Sequence, residues 1–171
     1  MNIIIEGPDA TGKTTLVEKI LAKNNLTTIH GTAKTPNDLP YYLDLLDGNG
    51  QIFDRFHFSE YIFPQIYGRM PKLTFNDFEA INKKLIETNT YFILFVTSDM
   101  EILNKRLIER GEYNYLEEII PQNILFSLFG KYFDDWAKKS VPSYNKYYII
   151  DIAKENSYKT LDEWLATEGI L

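Results

Sequence analysis

Gly7-Pro8-Asp9-Ala10-Thr11-Gly12-Lys13-Thr14 has the residue types and spacing to hold a polyphosphate, as G-x-x-x-x-G-K-T. It follows the apolar run Ile3-Ile4-Ile5 and leads into Thr15-Leu16-Val17, so a strand, a glycine-bounded turn and a helix come in that order. Gly7 and Gly12 admit backbone conformations and close approaches that a Cβ would block, which lets successive N–H groups wrap around an anion. The helix that follows points its positive end and unpaired amides at the same place. In such a loop Lys13 reaches the β- and γ-phosphates, the Thr14 hydroxyl holds Mg²⁺ bridging those oxygens, and Thr15 supports the turn. The spacing therefore predicts a nucleoside triphosphate site.

A second pair of chemically able residues comes at Asp54-Arg55. Gln51-Ile52-Phe53 reads as a short strand that delivers them at its carboxyl end, where open α/β sheets bind ligands. An aspartate there orders metal-bound water or accepts a proton from an attacking hydroxyl. The arginine bridges donor and acceptor phosphates or neutralises the transferring charge. The competing reading is a salt bridge that caps the next helix. His30, at the end of a strand over 26–30, either faces the same cleft or is only a strand-end polar group. Arg106 and Arg110 fall four apart on one helical face, which is either functional or solvated.

The elements that must position these residues alternate. Helical spacing predicts helices over 13–23, 40–46 and 58–67, the last with Pro64 as a kink; Thr74 N-caps another that runs to about Thr88. Tyr91 to Val96 is a nearly continuous apolar run, as in a central parallel strand covered on both faces. A helix over 100–110, a polar stretch at 110–118 that is the candidate lid, a long helix opened by Pro121, a strand over 147–152 and a helix over 161–167 complete the chain. This order predicts one α/β domain over 1–171, a doubly wound parallel β-sheet flanked by helices.

Composition narrows the function. With no cysteine and two histidines, disulfides and thiolate sites are excluded and a His-based zinc site is disfavoured. Lys+Arg 18 against Asp+Glu 24 gives a net charge of −6, which argues against a broad nucleic-acid-binding face. The sequence has no apolar run long enough to span a membrane and no signal-like start, so the expectation is a cytoplasmic protein without a membrane partner.

Glu6 to Thr15 resembles the first motif of thymidylate kinases, and Asp54-Arg55-Phe56-His57-Phe58-Ser59 resembles that family's D-R-[YF]-x-x-S motif. Arg106-Leu107-Ile108-Glu109-Arg110-Gly111 is similar to the segment leading into its lid, and Ile149-Ile150-Asp151 to the last strand before its adenine-contacting loop. The similarity runs over nearly the whole chain. It implies the P-loop NTPase fold of nucleotide kinases, with ATP and Mg²⁺ as cofactors. The reaction it implies is γ-phosphoryl transfer to a deoxynucleoside monophosphate, a pyrimidine such as dTMP.

Position by position, the resemblance implies that Lys13, Asp54, Arg55, Arg106 and Arg110 serve catalysis. Gly7, Asp9, Ala10, Thr11, Gly12, Lys13, Thr14, Thr15 and the two lid arginines hold ATP, with Arg110 near adenine. Asp9 contacts the acceptor sugar and Arg55 a phosphate; Ser59 and Arg69 complete the acceptor site, and Thr14 and Asp54 hold the metal. Gln65, read from the residues alone, either contacts a base edge there or is a surface amide. The cluster Phe56, Phe58, Tyr61, Phe63 and Tyr67 combines core packing with a candidate base-stacking ring. Dimerisation is common among the relatives, so a homodimer is an open expectation.

Two departures matter. The segment between the second strand and Asp54 is shorter than in thymidylate kinases, and the arginine-proline pair that follows their second strand is absent; Lys34 or Arg69 stands in for it. Arg55, Ser59, Tyr61-Ile62-Phe63 and Ile66-Tyr67 also resemble the E-R-S-x-x-S…Y-I-F…L-Y stretch of deoxynucleoside kinases, with Asp54 in place of the catalytic glutamate. Those enzymes phosphorylate a hydroxyl. Asp9 in the loop favours the monophosphate acceptor. A regulatory nucleotide switch or ATPase is the alternative from another class, and the N-K-x-D base-reading motif of GTPases is missing.

Overall fold

The computed structural model describes residues 1–32 and 36–171. Strands β1 (Asn2–Glu6), β2 (Thr27–His30), β3 (Gln51–Asp54), β4 (Tyr91–Val96) and β5 (Tyr147–Asp151) pair in parallel in the order β2-β3-β1-β4-β5. Ile3, Ile4 and Ile5 of the central strand are fully buried, and each contributes about 1.5–3 kcal/mol by leaving water. Because side chains alternate along a strand, they feed two separate cores. Ile3, Ile5, Ile93 and Phe95 pack under α1 (Lys13–Leu21), α5 (Met100–Glu109) and α7 (Ser157–Thr167). Ile4, Phe53, Phe92 and Leu94 pack under α2 (Leu39–Asp47), α3 (His57–Ile66), α4 (Phe75–Glu87) and α6 (Leu116–Ser140). Helices on both faces of a parallel sheet make the doubly wound α/β arrangement that the alternation of elements predicts.

Register sets the level at which chemistry can occur. Ile5 and His30 both pair with Asp54, and Glu6 pairs with Leu94, so the carboxyl ends of β1, β2 and β3 are flush. The loops after β1 and β3 therefore start side by side.

Helix ends follow their caps in most places. The Thr74 hydroxyl accepts from Asp77 N while the Asp77 carboxylate accepts from Thr74 N, a reciprocal capping box. The segment from 110 to 121 differs from expectation. A 3₁₀ turn at Tyr113–Tyr115 occupies the middle of the candidate lid, and α6 already begins at Leu116, so Pro121 lies inside the helix instead of opening it. A proline this near the N-terminus removes only one intrahelical bond, and burial of Ile119 and Gln122 holds the preceding turn. Gly130 has a packing reason: a Cβ there would lie 2.4 Å from Leu94 Cδ2, so α6 sits directly on the sheet. Helix α7 starts at Ser157, a turn before the expected 161. Among the described residues, no helix is long and apolar enough to cross a membrane.

Candidate active site

The loop after β1 adopts a conformation that its glycines permit. Gly7 has φ 141°, and a Cβ there would sit 2.5 Å from the Phe95 carbonyl oxygen of the neighbouring strand. Gly12, at φ 96°, turns the chain into α1. Ala10 also has a positive φ of 62°, unusual for a residue with a side chain. The Pro8 carbonyl accepts from Thr11 Oγ1 at 2.8 Å and from Lys13 Nζ at 2.6 Å. Lys13 is buried, and loss of hydration pushes its ammonium down to about 8 against the pull of Asp9. An incoming phosphate would replace the carbonyl and restore the charge.

Arg55 leaves β3 in the left-handed region, at φ 71°, with its amide donating to Ile5 O at 3.0 Å. Such strain is common at functional positions. Its guanidinium meets Asp9 Oδ1 at 2.5 Å and lies over the Phe63 ring, 5.0 Å from the centroid. Asp54 is buried at the strand end, with Oδ2 3.1 Å from His30 Nδ1.

The frame behind this pair is Glu6, which is fully buried at the end of β1. Its Oε1 accepts from Phe56 N at 2.7 Å and Ser59 N at 3.1 Å, and its Oε2 accepts from Ser59 Oγ at 2.5 Å. Burial pushes this carboxyl up to about 7, although the Ser59 hydroxyl and both amides favour the ionised form. One carboxylate thus fastens the first turn of α3 to β1 and fixes where Arg55 emerges.

Three cavities meet at the loop. The first, about 390 Å³, is lined by residues 9–15 of the loop with Asp54, Arg55, Arg110 and His30. The second, about 280 Å³, shares Asp9 and Arg55 and extends past Phe56, Phe63, Tyr67 and Arg69. The third, about 500 Å³, shares Ala10, Gly12, Thr15 and Arg110 and extends to Arg106, Phe95 and Tyr158. A charged central chamber thus has a more apolar pocket on one side and an aromatic cleft on the other. Thr14 and Asp54 both line the central cavity, and their hydroxyl and carboxylate oxygens suit a hard cation such as Mg²⁺. No group of three or more His, Cys, Asp or Glu side chains could hold a metal among the described residues, so a magnesium ion would draw its other ligands from phosphate and water.

The structure brings Asp9 through Thr15, Asp54, Arg55 and Arg110 together around this chamber. Arg106 goes elsewhere: its Nη1 donates to Ala10 O at 2.9 Å and to the Tyr158 hydroxyl at 3.1 Å, so it props the loop from the third cavity. Arg69 lines the second cavity, 5.4 Å from the Tyr67 centroid. Two acceptor-site candidates have their polar groups engaged elsewhere. Ser59 touches the second cavity, but its hydroxyl is committed to Glu6. Gln65 is exposed and donates to its own helix at Tyr61 O, 2.6 Å away, and it lines none of the three cavities. Lys34 lies outside the described residues.

Three residues were not singled out from sequence. Besides Glu6, Gln122 of α6 accepts from Asp9 N at 3.0 Å, and the Tyr158 hydroxyl of α7 donates to Thr11 O at 2.9 Å. A charged residue directly after three isoleucines in the central strand was the one visible signal, at Glu6. Gln122 and Tyr158 become informative only once α6 and α7 are seen to reach the loop.

No protein-family model matches the sequence, and no curated protein matches it. Among solved structures, the YorR protein from Bacillus subtilis, in complex with phosphorylated GDP, is similar with a TM-score of 0.73 at 20% identity, covering 99% of this chain and 96% of that one. An uncharacterized protein from Eubacterium ventriosum has a TM-score of 0.51 at 10% identity over 98% and 97%. Deoxyadenosine kinase from M. mycoides with bound dATP has a TM-score of 0.48 at 17% identity over 97% and 99%. The likeness to YorR, over nearly the full length of both chains, shows the fold: a doubly wound parallel α/β sheet with a P-loop after its central strand.

Proposed function

We propose that this chain is a nucleotide kinase that moves the γ-phosphoryl group of ATP to a deoxynucleoside monophosphate, with a pyrimidine such as dTMP as the first acceptor to test. The observation that carries the reading is the Asp9–Arg55 pair, which forms part of the wall of both the phosphate chamber and the second cleft. A nucleotide switch needs only the chamber; an aromatic cleft opening onto it beside a strained arginine suits an acceptor. The complex of YorR with phosphorylated GDP supports a nucleotide ligand for this fold.

In this reading the third cavity takes the donor base, between the loop and Tyr158. Lys13 and the loop amides hold the β- and γ-phosphates, and Arg55 neutralises charge as the phosphoryl group crosses from chamber to cleft. Thr14 and Asp54 hold Mg²⁺, which when bound draws negative charge off the phosphate oxygens. Phe63 and Tyr67, nearly parallel at 14° with centroids 6.2 Å apart, offer ring faces to the acceptor base. Arg69, on the same cleft, favours an anionic acceptor over a neutral nucleoside.

The test is coupled ADP release with ATP·Mg²⁺ and a panel of deoxynucleosides and their monophosphates. Turnover with monophosphates alone supports the reading and names the base. Turnover with nucleosides alone moves the protein to the hydroxyl-phosphorylating class, with Asp54 as general base. A slow rate indifferent to every acceptor overturns both and favours a switch.

A further inference from the structure

Tyr67 caps the end of α3, and Gly68, at φ 62°, turns the chain away directly after it. A side chain exposed at such an end has several rotamers open to it. The Tyr67 hydroxyl donates to Glu118 Oε2 at 2.9 Å, across 51 positions of sequence, and in that rotamer the ring lies nearly parallel to Phe63 on the wall of the second cavity. Phe63 and Arg69 meet the ring itself, through contacts with little direction. The hydrogen bond is directional, and it fixes the far end of the ring.

Glu118 belongs to the first turn of α6, where the helix dipole favours a carboxylate. Four residues on, on the same helical face, Gln122 accepts from Asp9 N at 3.0 Å. Tyr67 and Asp9 both line the second cavity. One face of α6 therefore holds two walls of the aromatic cleft, the loop through its backbone and the ring through its hydroxyl. Glu118 itself lines none of the three cavities that meet at the loop, so anything it does for a ligand it does through Tyr67. A hydrogen bond between partly exposed groups adds little to folding stability, which leaves placement of the ring as its effect.

We propose that Glu118 is a positioning residue for the acceptor: by holding the Tyr67 hydroxyl it fixes the ring on which the acceptor base packs. This rests on the reading of the second cavity as the acceptor cleft. A base that packs on a ring already held in place loses less freedom on binding than one that must order the ring as it arrives. The effect falls on acceptor affinity. Transfer itself takes place at the other end of the acceptor, beside Arg55 and Lys13, which Glu118 does not touch.

Steady-state kinetics on the full chain test this, with ATP·Mg²⁺ as donor and whichever acceptor of the panel turns over fastest. Glu118→Ala and Tyr67→Phe are each expected to raise the acceptor KM about tenfold, with kcat and the donor KM within about twofold of wild type. The double variant is expected to match either single one, because both remove the same bond. Glu118→Gln, whose amide oxygen accepts from the same hydroxyl, is expected to stay within about twofold of wild type. An unchanged acceptor KM in Glu118→Ala, losses that multiply in the double variant, a loss confined to kcat, or a glutamine variant as impaired as the alanine one would each overturn the proposal while wild-type turnover leaves the function standing. A wild type that turns over no acceptor overturns the function first, and this inference falls with it.

Discussion

Replacing Glu6 by Gln should change how stability depends on pH while leaving the fold intact. Glu6 is fully buried, and its carboxyl is raised from 4.5 to about 7. A raised carboxyl favours its neutral form in the folded state. Its contribution is fully present below 4.5 and is lost as pH rises through about 7. That span, at 1.36 kcal/mol per pH unit, amounts to about 3 kcal/mol. Glutamine copies the neutral form: its carbonyl can accept from Phe56 N and Ser59 N as Oε1 does. Urea melts of both proteins at pH 4.5, 6, 7 and 8 isolate this group, because other carboxylates titrate alike in the two. The stability of wild type relative to the glutamine variant should fall by about 3 kcal/mol between pH 4.5 and 8. A difference constant across that window, or a variant that loses ground as pH rises, would refute the assignment of Glu6 as a dehydrated carboxyl.

Other consequences concern the loop and its props. Lys13→Met should lower turnover by about 10²–10³-fold or more with an unchanged far-UV spectrum, since in the proposed reaction the residue neutralises charge on the transferring group. Because Lys13 sits near 8 without ligand, nucleotide binding at pH 8 should take up about half a proton, readable by calorimetry in buffers of different ionisation enthalpy. Gly7→Ala should destabilise the fold by about 3 kcal/mol or more, as its Cβ would press to 2.5 Å on the Phe95 carbonyl; a melt within 1 °C of wild type would contradict this. Tyr158→Phe removes the donor to Thr11 O and the acceptor for Arg106, and should raise KM for the donor nucleotide about tenfold with little change in kcat.

The loop and the sheet were legible in the sequence because local pattern determines both. Three consecutive isoleucines followed by spaced glycines specify a buried parallel strand ending in an anion-binding turn, and the Thr74 capping box announces its helix. The segment around Pro121 was not legible. Proline reads as a helix opener by local preference, but burial of Ile119 and Gln122 extends α6 back to Leu116. A tertiary effect also turns Ser59 and Arg106. Ser59 and Gln65 lie at helical positions that a motif treats as equivalent to those of other proteins. Which way their polar atoms turn depends on Glu6 and on the Tyr61 carbonyl. Arg106 likewise sits one turn from Arg110, yet Tyr158 draws it under the loop. The Ser59–Glu6 and Arg106–Tyr158 contacts join residues more than fifty positions apart and carry no local signal, whereas the Gln65 bond to Tyr61 is local to its own helix.

The proposed activity is transfer of a phosphoryl group from the P-loop chamber to an acceptor in the adjoining cleft. Incubation with γ-³²P-labelled ATP, Mg²⁺ and each deoxynucleoside monophosphate, followed by separation of the products, measures that directly. Label is expected in the matching deoxynucleoside diphosphate and is abolished by Lys13→Met. Label released only as inorganic phosphate, at a rate no acceptor alters, would contradict it.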